Sequence, residues 1–191
     1  MNKLLLSFLF ILSSTVFADT FTVSPGSSLN WTGKKLTGQH TGTIELSSGK
    51  VEIVNGLIKS GEFLINLKSI VVKDIEDPTF NKKLHDHLLS EDFFNADNFP
   101  EAKFMITAAT KGTDANTQNI SGKLSIKGIE SNVTFPAVIK VSGDTATAEG
   151  TATLDRTKWN IKYGSGKFFQ NLGDKLIYDD FYVELKLSAK K

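Results

Sequence analysis

Apolar and polar residues alternate along most of this chain, and this period-two pattern limits the fold more than any other feature. The alternation is clearest over residues 104–108, 120–126, 145–155 and 181–188. It indicates strands that bury one face. Earlier strands are predicted at residues 28–34, 40–46, 51–55 and 57–73. Turn residues separate these runs, for example at residues 47–49. About eight strands joined by short turns favour an all-β fold, either an antiparallel barrel or a sandwich.

A single segment departs from the alternation and predicts a short helical insertion at about residues 78–95. Asp77 is a preferred N-cap residue, and a proline follows it at the first helical position. Phe80, Leu84 and Leu88 then lie four positions apart, so they share one face of a helix. The simplest interpretation is one domain with one helix inserted between strands.

The first eighteen residues have the three parts of a secretory signal peptide. Lys3 provides a positive start, residues 4–12 are almost entirely apolar, and Ala18 ends a small-residue cleavage site. The apolar run is too short to span a bilayer, for which about 20 residues are needed. We therefore expect cleavage near Ala18, a periplasmic or secreted location, and a mature domain at residues 19–191 without stable membrane insertion.

Composition excludes several partners and chemistries for the mature domain. One of the 22 basic residues is Lys3, which leaves 21 basic against 21 acidic residues, so nucleic acid is not an expected partner. The chain has no cysteine, which excludes disulfides, thiol catalysis and a lipid-modified cysteine anchor.

The sequence motifs of enzymes and metal sites are missing. His85 and His87 lie two positions apart and point about 200° away from each other on a helix, so they do not suit one metal ion. No Gly-x-Ser-x-Gly elbow, phosphate loop or dinucleotide fingerprint is present. We expect no catalytic residue, no metal and no cofactor, but a triad that forms only in space stays open as an alternative.

Two groups of residues bear on a ligand site. Phe93, Phe94 and Phe104 follow the predicted helix, and they suit a lid over a barrel end as well as an ordinary core. One face of the strand at residues 145–155 carries three alanines and a glycine. If this face points inward, a barrel of about eight strands keeps space for one elongated ligand. If the threonines of the other face point inward, no cavity follows.

Residues 84–94 and 98–104 together resemble the central signature of the YceI family. The first segment reads LHDHLLSEDFF and the second reads NFPEAKF. Residues 122–128 (GKLSIKG) and 154–161 (LDRTKWNI) are similar to two further family motifs, with Asn160 where the family commonly has glycine. The matches occur in order across nearly the whole mature chain.

The resemblance implies an extended, lipocalin-like antiparallel β-barrel that carries a long apolar amphiphile in an exported compartment. Expected cargoes are a polyisoprenoid, an isoprenoid quinone or a fatty amide, and the family also suggests transport and a role in the stress response. An envelope interaction protein without a ligand stays open, as does, with less support, a barrel enzyme that acts on a lipid. A homodimer is a further open prediction.

The expected ligand contacts fall into two groups. Candidates for the apolar wall or lid are Phe80, Leu84, Leu88, Phe93, Phe94, Phe104 and Trp159. Candidates for the head-group end are His40, Asp86, His87 and Arg156. For Arg156, an ion pair that only anchors the barrel is the competing interpretation.

Overall fold

The computed structural model describes residues 18–191, so the predicted signal peptide, apart from Ala18, lies outside the described residues. Within this range the chain forms nine strands and one α-helix. The strands are β1 Asp19–Val23, β2 Ser28–Lys35, β3 Gly38–Val54, β4 Leu57–Val72, β5 Glu101–Lys111, β6 Thr117–Ile126, β7 Ile129–Ser142, β8 Thr145–Asp155 and β9 Ile177–Lys190. The helix α1 spans Pro78–Leu89, between β4 and β5.

Eight of the strands form a closed antiparallel ring. Around the ring the order is β3, β2, β9, β8, β7, β6, β5 and β4, and β4 pairs with β3 again. Closure surrounds the inward faces of all eight strands and limits the free sheet edge. The predicted lipocalin-like antiparallel β-barrel of about eight strands, with one helical insertion, is therefore confirmed.

The ninth strand, β1, completes the barrel wall beyond the end of β2, at the end of the barrel that we call the closed end. It lies between β3 and β9 and pairs with residues 50–53 of the first and 189–190 of the second. The Phe21 side chain is completely buried there. It belongs to a cluster of buried apolar residues formed by Phe21, Val51, Ile53, Ile58, Ile106, Ile120, Ala137, Ile139, Ala146 and Ala189.

A buried glutamine completes the hydrogen bonding of the closed end. Gln118 in β6 is 5% exposed, and its Nε2 donates to the Gly56 carbonyl at 2.7 Å. Its Oε1 accepts from the Ile58 N–H at 3.0 Å. Because the pairing of β4 with β5 begins only at Gly61, this side chain supplies the partner that the start of β4 lacks.

The opposite end, which we call the helical end, is covered by α1 and the turns that follow it. The Asp77 carboxylate accepts from the N–H groups of Thr79 and Phe80 at 2.8 and 3.0 Å, which confirms the predicted N-cap. The helix ends at Leu89, and residues 90–98 continue mainly as turns. A second buried cluster fills this end and contains Leu67, Phe93, Ala96, Ala102, Leu124, Ile126, Ala152, Leu154, Trp159 and Ile161.

The turn predicted at residues 47–49 is wrong, because β3 continues through them. The ladder with β4 shifts register within this stretch instead of ending. A Cβ at Gly49 would lie 2.5 Å from Val23 Cγ2 and 2.7 Å from a ring carbon of Phe63. The glycine therefore marks a crowded strand position and not a chain reversal.

Candidate ligand-binding site

The ring of eight strands encloses a cavity of about 250 Å³. Period-two alternation builds its wall, because it places one set of side chains on the inner face of each strand. Ligand cavities commonly measure about 300–1,000 Å³, so this one suits a slender ligand. The lining residues are Leu29, Trp31, Gly33, Ile44, Leu46, Ile58, Phe63, Ile65, Leu67, Ile70, Leu88, Phe93, Phe94, Ala102, Phe104, Ile120, Leu124, Ile126, Val133, Phe135, Ala137, Ile139, Ala148, Ala152, Leu154, Arg156, Ile161, Ile177, Tyr178, Phe181, Val183, Leu185 and Leu187.

The alanine face of β8 points inward, which confirms the condition that the sequence set for a cavity. Ala146 and Ala152 are 5% and 6% exposed, and Ala148 and Ala152 line the cavity. Thr151 and Thr153, on the other face, are exposed. Small side chains on the inner face leave space that larger ones would fill.

Trp31 brings an unpartnered hydrogen-bond donor to the apolar wall. It faces inward from β2, opposite Gly42 of β3. Its Nε1 is buried and has no hydrogen-bond partner among the described residues. A Cβ at position 42 would lie 2.6 Å from the indole ring, so the glycine makes room for that ring. A buried unsatisfied donor costs about 1–3 kcal/mol, and a ligand atom that accepts from it would offset that cost.

Arg156 is the only lining residue of the described chain with a permanent charge. Its Nε donates to the Tyr178 carbonyl at 3.1 Å. Its two terminal nitrogens donate to the carbonyls of Ile161 and Ile177, each at 3.0 Å. The guanidinium is therefore engaged by the backbone, and it ties together the two ends of the loop at residues 162–176.

An ion-pair network outside the wall supports Arg156. One of its terminal nitrogens lies 3.5 Å from an Asp179 carboxylate oxygen. The Lys167 ammonium contacts Asp179 at 3.4 Å and Asp155 at 2.8 Å. Burial favours a higher pKa for Asp155, but hydrogen bonds from Lys167 and Thr157 outweigh it and lower the pKa to about 2. Burial lowers the pKa of Arg156, and the two carboxylates oppose that change.

Four of the seven predicted wall or lid residues lie in the cavity wall. Leu88 comes from the last turn of α1, Phe93 and Phe94 from the turn that follows, and Phe104 from β5. Phe93 is 9% exposed and belongs to the buried cluster of the helical end. Phe93 therefore belongs to the buried core and lines the cavity with the same side chain, and its role as a lid stays a prediction.

The other three predicted wall residues do not line the cavity. Phe80 lies on the solvent side of α1 and is 64% exposed. Leu84 is half-buried one turn before Leu88, and of the shared helix face only Leu88 reaches the wall. Trp159 is completely buried behind the wall, where its Nε1 donates to the Leu124 carbonyl at 2.8 Å.

Of the four predicted head-group residues, only Arg156 lines the cavity. Each of the others is paired with a charged neighbour outside the wall: His40 with Asp74 at 2.8 Å, Asp86 with Lys82, and His87 with Asp92 at 3.1 Å. The His87 ring also packs edge-on against Phe93 and Tyr163, with centroid distances of 4.9 and 4.5 Å. His87 thus supports the lid from its outer side.

Sequence reasoning did not single out Trp31 or Tyr178. The inward position of Trp31, in register with Leu29 and Gly33, follows from the alternation of β2, so a signal for it existed. Tyr178 follows a loop without periodicity, and no pattern in the sequence identifies it.

No helix among the described residues is long and apolar enough to cross a bilayer. Among the same described residues, no group of three or more histidine, aspartate or glutamate side chains is placed to hold a metal ion.

Known proteins resemble this chain in sequence. The family model of the YceI-like domain matches residues 21–189. The chain belongs to the YceI family. A UPF0312 protein of Pseudomonas putida (strain W619) is 35% identical over 92 residues, which cover 45% of this chain and 47% of that protein. This YceI-family chain therefore matches about half the length of its curated relatives.

Solved structures share the fold. BcnA of Burkholderia cenocepacia is 24% identical, covers 86% of this chain and 96% of its own, and has a TM-score of 0.69. A polyisoprenoid binding domain of Saccharophagus degradans, implicated in plant cell wall breakdown, is 14% identical over 91% of this chain and 99% of its own, with a TM-score of 0.62. A YCEI protein of Campylobacter jejuni is 14% identical, covers 100% of this chain and 93% of its own, and has a TM-score of 0.55. At these identities the likeness concerns the barrel and not the ligand.

Proposed function

We propose that this YceI-family protein is an extracytoplasmic carrier that encloses a long apolar amphiphile in its barrel. The observation that carries the proposal is the cavity, whose lining side chains are apolar except for Trp31, Arg156 and Tyr178. A structural neighbour that is a polyisoprenoid binding domain supports the same class of cargo. A polyisoprenoid, an isoprenoid quinone and a fatty amide all belong to this class.

An apolar wall is sufficient to hold such a tail. Each buried methylene contributes about 0.8 kcal/mol, so a tail of about twenty carbons gains about 16 kcal/mol gross. Association and chain ordering cost about 4–15 kcal/mol. The balance favours binding without any polar contact along the tail, which leaves the few polar groups to orient the head.

We propose that the head of the cargo lies beside the unpartnered Trp31 N–H. It is a donor and not an acceptor, so the matching ligand atom is an oxygen that accepts a hydrogen bond. The N–H groups of Arg156 already serve three backbone carbonyls. We therefore assign the ligand contact to Trp31 and the structural anchor to Arg156.

We further propose that the protein does not transform its cargo. The first candidates for a catalytic group, His40 and His87, pair with carboxylates outside the wall. Tyr178 and Arg156 are the only lining residues with ionisable side chains in the described chain, and the Arg156 guanidinium is already engaged by three backbone carbonyls. A ligand-free interaction protein would instead fill its interior, so the cavity favours a carrier.

Native mass spectrometry of the protein taken from its own compartment, followed by solvent extraction, tests the proposal. One amphiphile per chain or per dimer is the expected result, and the same spectrum reports whether the predicted homodimer forms. An empty protein that also rejects isoprenoids, quinones and fatty amides would overturn the carrier assignment.

A substitution that fills the cavity gives a sharper test. Ala148→Phe puts an aromatic ring into the lining of β8, whereas Thr151→Phe puts the same ring on the outer face of the same strand. Overpacking costs about 1–3 kcal/mol, so we expect cargo occupancy to fall about tenfold or more in the first variant only. Equal occupancy in both variants, with both proteins folded, would contradict the proposed site.

A further inference from the structure

The long loop before β9 exposes aromatic side chains. Tyr163, Phe168 and Phe169 are 45%, 47% and 50% exposed. Leu36, at the tip of the β2–β3 hairpin, is 53% exposed, and its N–H donates to the Leu176 carbonyl of the same loop at 3.0 Å. We call Leu36, Tyr163, Phe168 and Phe169 the apolar rim. Large apolar side chains gathered at one place on a surface indicate an interaction site.

An ordered turn holds the two phenylalanines of the rim in their exposed positions. The N–H groups of Phe168 and Phe169 both donate to the Ser165 carbonyl, at 3.1 and 3.0 Å. Ser165 is completely buried, and its Oγ accepts from the Lys167 N–H at 3.2 Å. The two phenylalanines are therefore held in solvent by a buried anchor and have no apolar cover of their own.

The rim borders the cavity. The loop begins after Ile161 and ends before Ile177, and both of these residues line the cavity. Arg156 binds both of their carbonyls. Tyr163 lies 5.7 Å from Phe93, a third lining residue, measured between ring centroids. The rim is thus part of the helical end, directly outside the lid.

The loop that carries the aromatic residues of the rim is rich in lysine. Residues 158–175 contain four lysines and one acidic residue, Asp174. The Lys162 ammonium lies 4.8 Å from the centroid of the Phe168 ring. Within the described chain, Lys162 and Lys175 form no ion pair, whereas Lys167 pairs with two aspartates. Lys162 and Lys175 therefore leave unpaired positive charge on the loop that carries the exposed rings.

We propose that the apolar rim docks on the surface of an anionic phospholipid membrane. Aromatic rings favour the depth of the lipid head groups, and lysines beside them attract the lipid phosphates. The proposal rests on the proposed function in that a lipid carrier must exchange its cargo at a membrane. Docking by the rim brings the helical end, and with it the cavity, to the lipid surface.

Vesicle flotation with the intact protein tests the docking. The vesicles are made of phosphatidylethanolamine with phosphatidylglycerol, and phosphatidylcholine vesicles serve as the neutral comparison. The rim variant is Phe168→Thr with Phe169→Thr. Its control is Val138→Thr with Val141→Thr, which removes two apolar side chains of β7 that are 39% and 41% exposed and lie away from the rim.

We expect the protein to float with the anionic vesicles, less so as salt is raised, and to bind neutral vesicles weakly. The rim variant should bind about tenfold less tightly, and the β7 control should bind as the unaltered protein does. Lys162→Gln with Lys175→Gln should also weaken binding about tenfold, whereas Lys111→Gln with Lys140→Gln at the closed end should not.

Unchanged binding by the rim variant, or no flotation of the unaltered protein, would overturn the docking proposal. Self-association that disappears in the rim variant, without vesicle binding, would assign the rim to a second copy and overturn it as well. Solvent extraction of each protein is done in parallel. Cargo without vesicle binding removes only the docking proposal, and vesicle binding without cargo removes only the carrier proposal.

Discussion

At the closed end, β1 completes the wall between β3 and β9 and the Phe21 side chain is buried in an apolar cluster, whereas at the helical end α1, its turns and a long loop cover the opening. The closed end is filled by aliphatic and aromatic side chains, and its buried Gln118 has partners on both amide atoms. The helical end contains the ion network of Arg156, the unpartnered Trp31 N–H and the exposed rim.

This difference separates two tasks within one ring of strands. An end whose apolar surface is buried and whose polar groups are satisfied contributes stability and has little reason to open. An end with an unsatisfied donor and exposed aromatic rings still has a hydrogen bond and apolar contacts to offer to another molecule. We therefore expect substitutions of closed-end residues that do not line the cavity to change stability alone, and substitutions at the helical end to change stability and ligand exchange together.

The largest expected effect is that of Arg156→Met. It leaves three backbone carbonyls without their donor and removes the cation beside the half-buried Asp179 carboxylate. We expect a loss of about 3–5 kcal/mol in the free energy of unfolding, measured by chemical denaturation. Cargo retention should fall as well, because the same contacts hold both ends of the rim loop. A loss below about 1 kcal/mol would show that the network is not an anchor.

Gln118→Leu is the matched change at the closed end. It removes the acceptor of the Ile58 N–H and the donor to the Gly56 carbonyl, and we expect a loss of about 1–3 kcal/mol in the free energy of unfolding. Cargo occupancy should stay unchanged because Gln118 does not line the cavity. If occupancy falls as far as in Arg156→Met, the division between the two ends is wrong.

The stability of the helical end should depend on pH through Asp155. Its folded-state pKa is about 2, below the ordinary value of 3.8, so the contribution is complete above about pH 5. As pH falls from about 5 to 2 the unfolded chain takes up the proton first, and about 2 kcal/mol of stability is lost.

Denaturation at pH 7, 4 and 2 measures this dependence. Asp155→Asn should remove the corresponding part of the acid-induced loss. Asp19→Asn, which breaks an exposed pair with Lys191 at the closed end, is the control and should change the free energy of unfolding by less than about 1 kcal/mol. An acid-induced loss that is the same with and without Asp155 would refute the assignment.

The smallest expected effect is that of Trp31→Phe, which keeps an aromatic ring beside Gly42 and removes the N–H. The empty protein should be as stable as before, or up to about 1 kcal/mol more stable, because an unsatisfied donor is gone. Affinity for an amphiphile with a carbonyl head should fall about fivefold in a fluorescence titration, whereas affinity for the matching hydrocarbon should not change. Equal losses for both ligands would mean that Trp31 acts through its shape alone.

Much of the fold could be predicted because alternation is a local property of the sequence. The all-β class follows from spacings of two residues, and the N-cap at Asp77 follows from the residue types at the start of the helix. Closure into a barrel was implied by the family resemblance, and only the structure shows that the alanine face of β8 points inward. Gly49 was misinterpreted because a glycine in a turn and a glycine in a crowded strand look alike in one sequence. Only the structure shows that the Phe63 ring occupies the place of a side chain there.

The site was less predictable because it depends on which elements meet. The shared face of Phe80 and Leu88 was visible in the sequence, but the angle at which α1 crosses the barrel decides that only Leu88 reaches the wall. The three carbonyl partners of Arg156 lie up to 22 positions away in the chain, on a segment without periodicity. No local pattern encodes these contacts.

The closure of the ring between β2 and β9 has a kinetic consequence. Ser27 and Ser188 are 161 positions apart in sequence, yet the Ser27 hydroxyl donates to the Ser188 carbonyl beside the pairing of these strands. Contacts of such high sequence separation form late and make folding slow, because the entropy of a long loop must be lost before any pairing is gained. Until that seam forms there is no enclosed interior for a cargo. A bound amphiphile would then stabilise the closed ring and slow its reopening. The protein should therefore unfold more slowly with its cargo than without it.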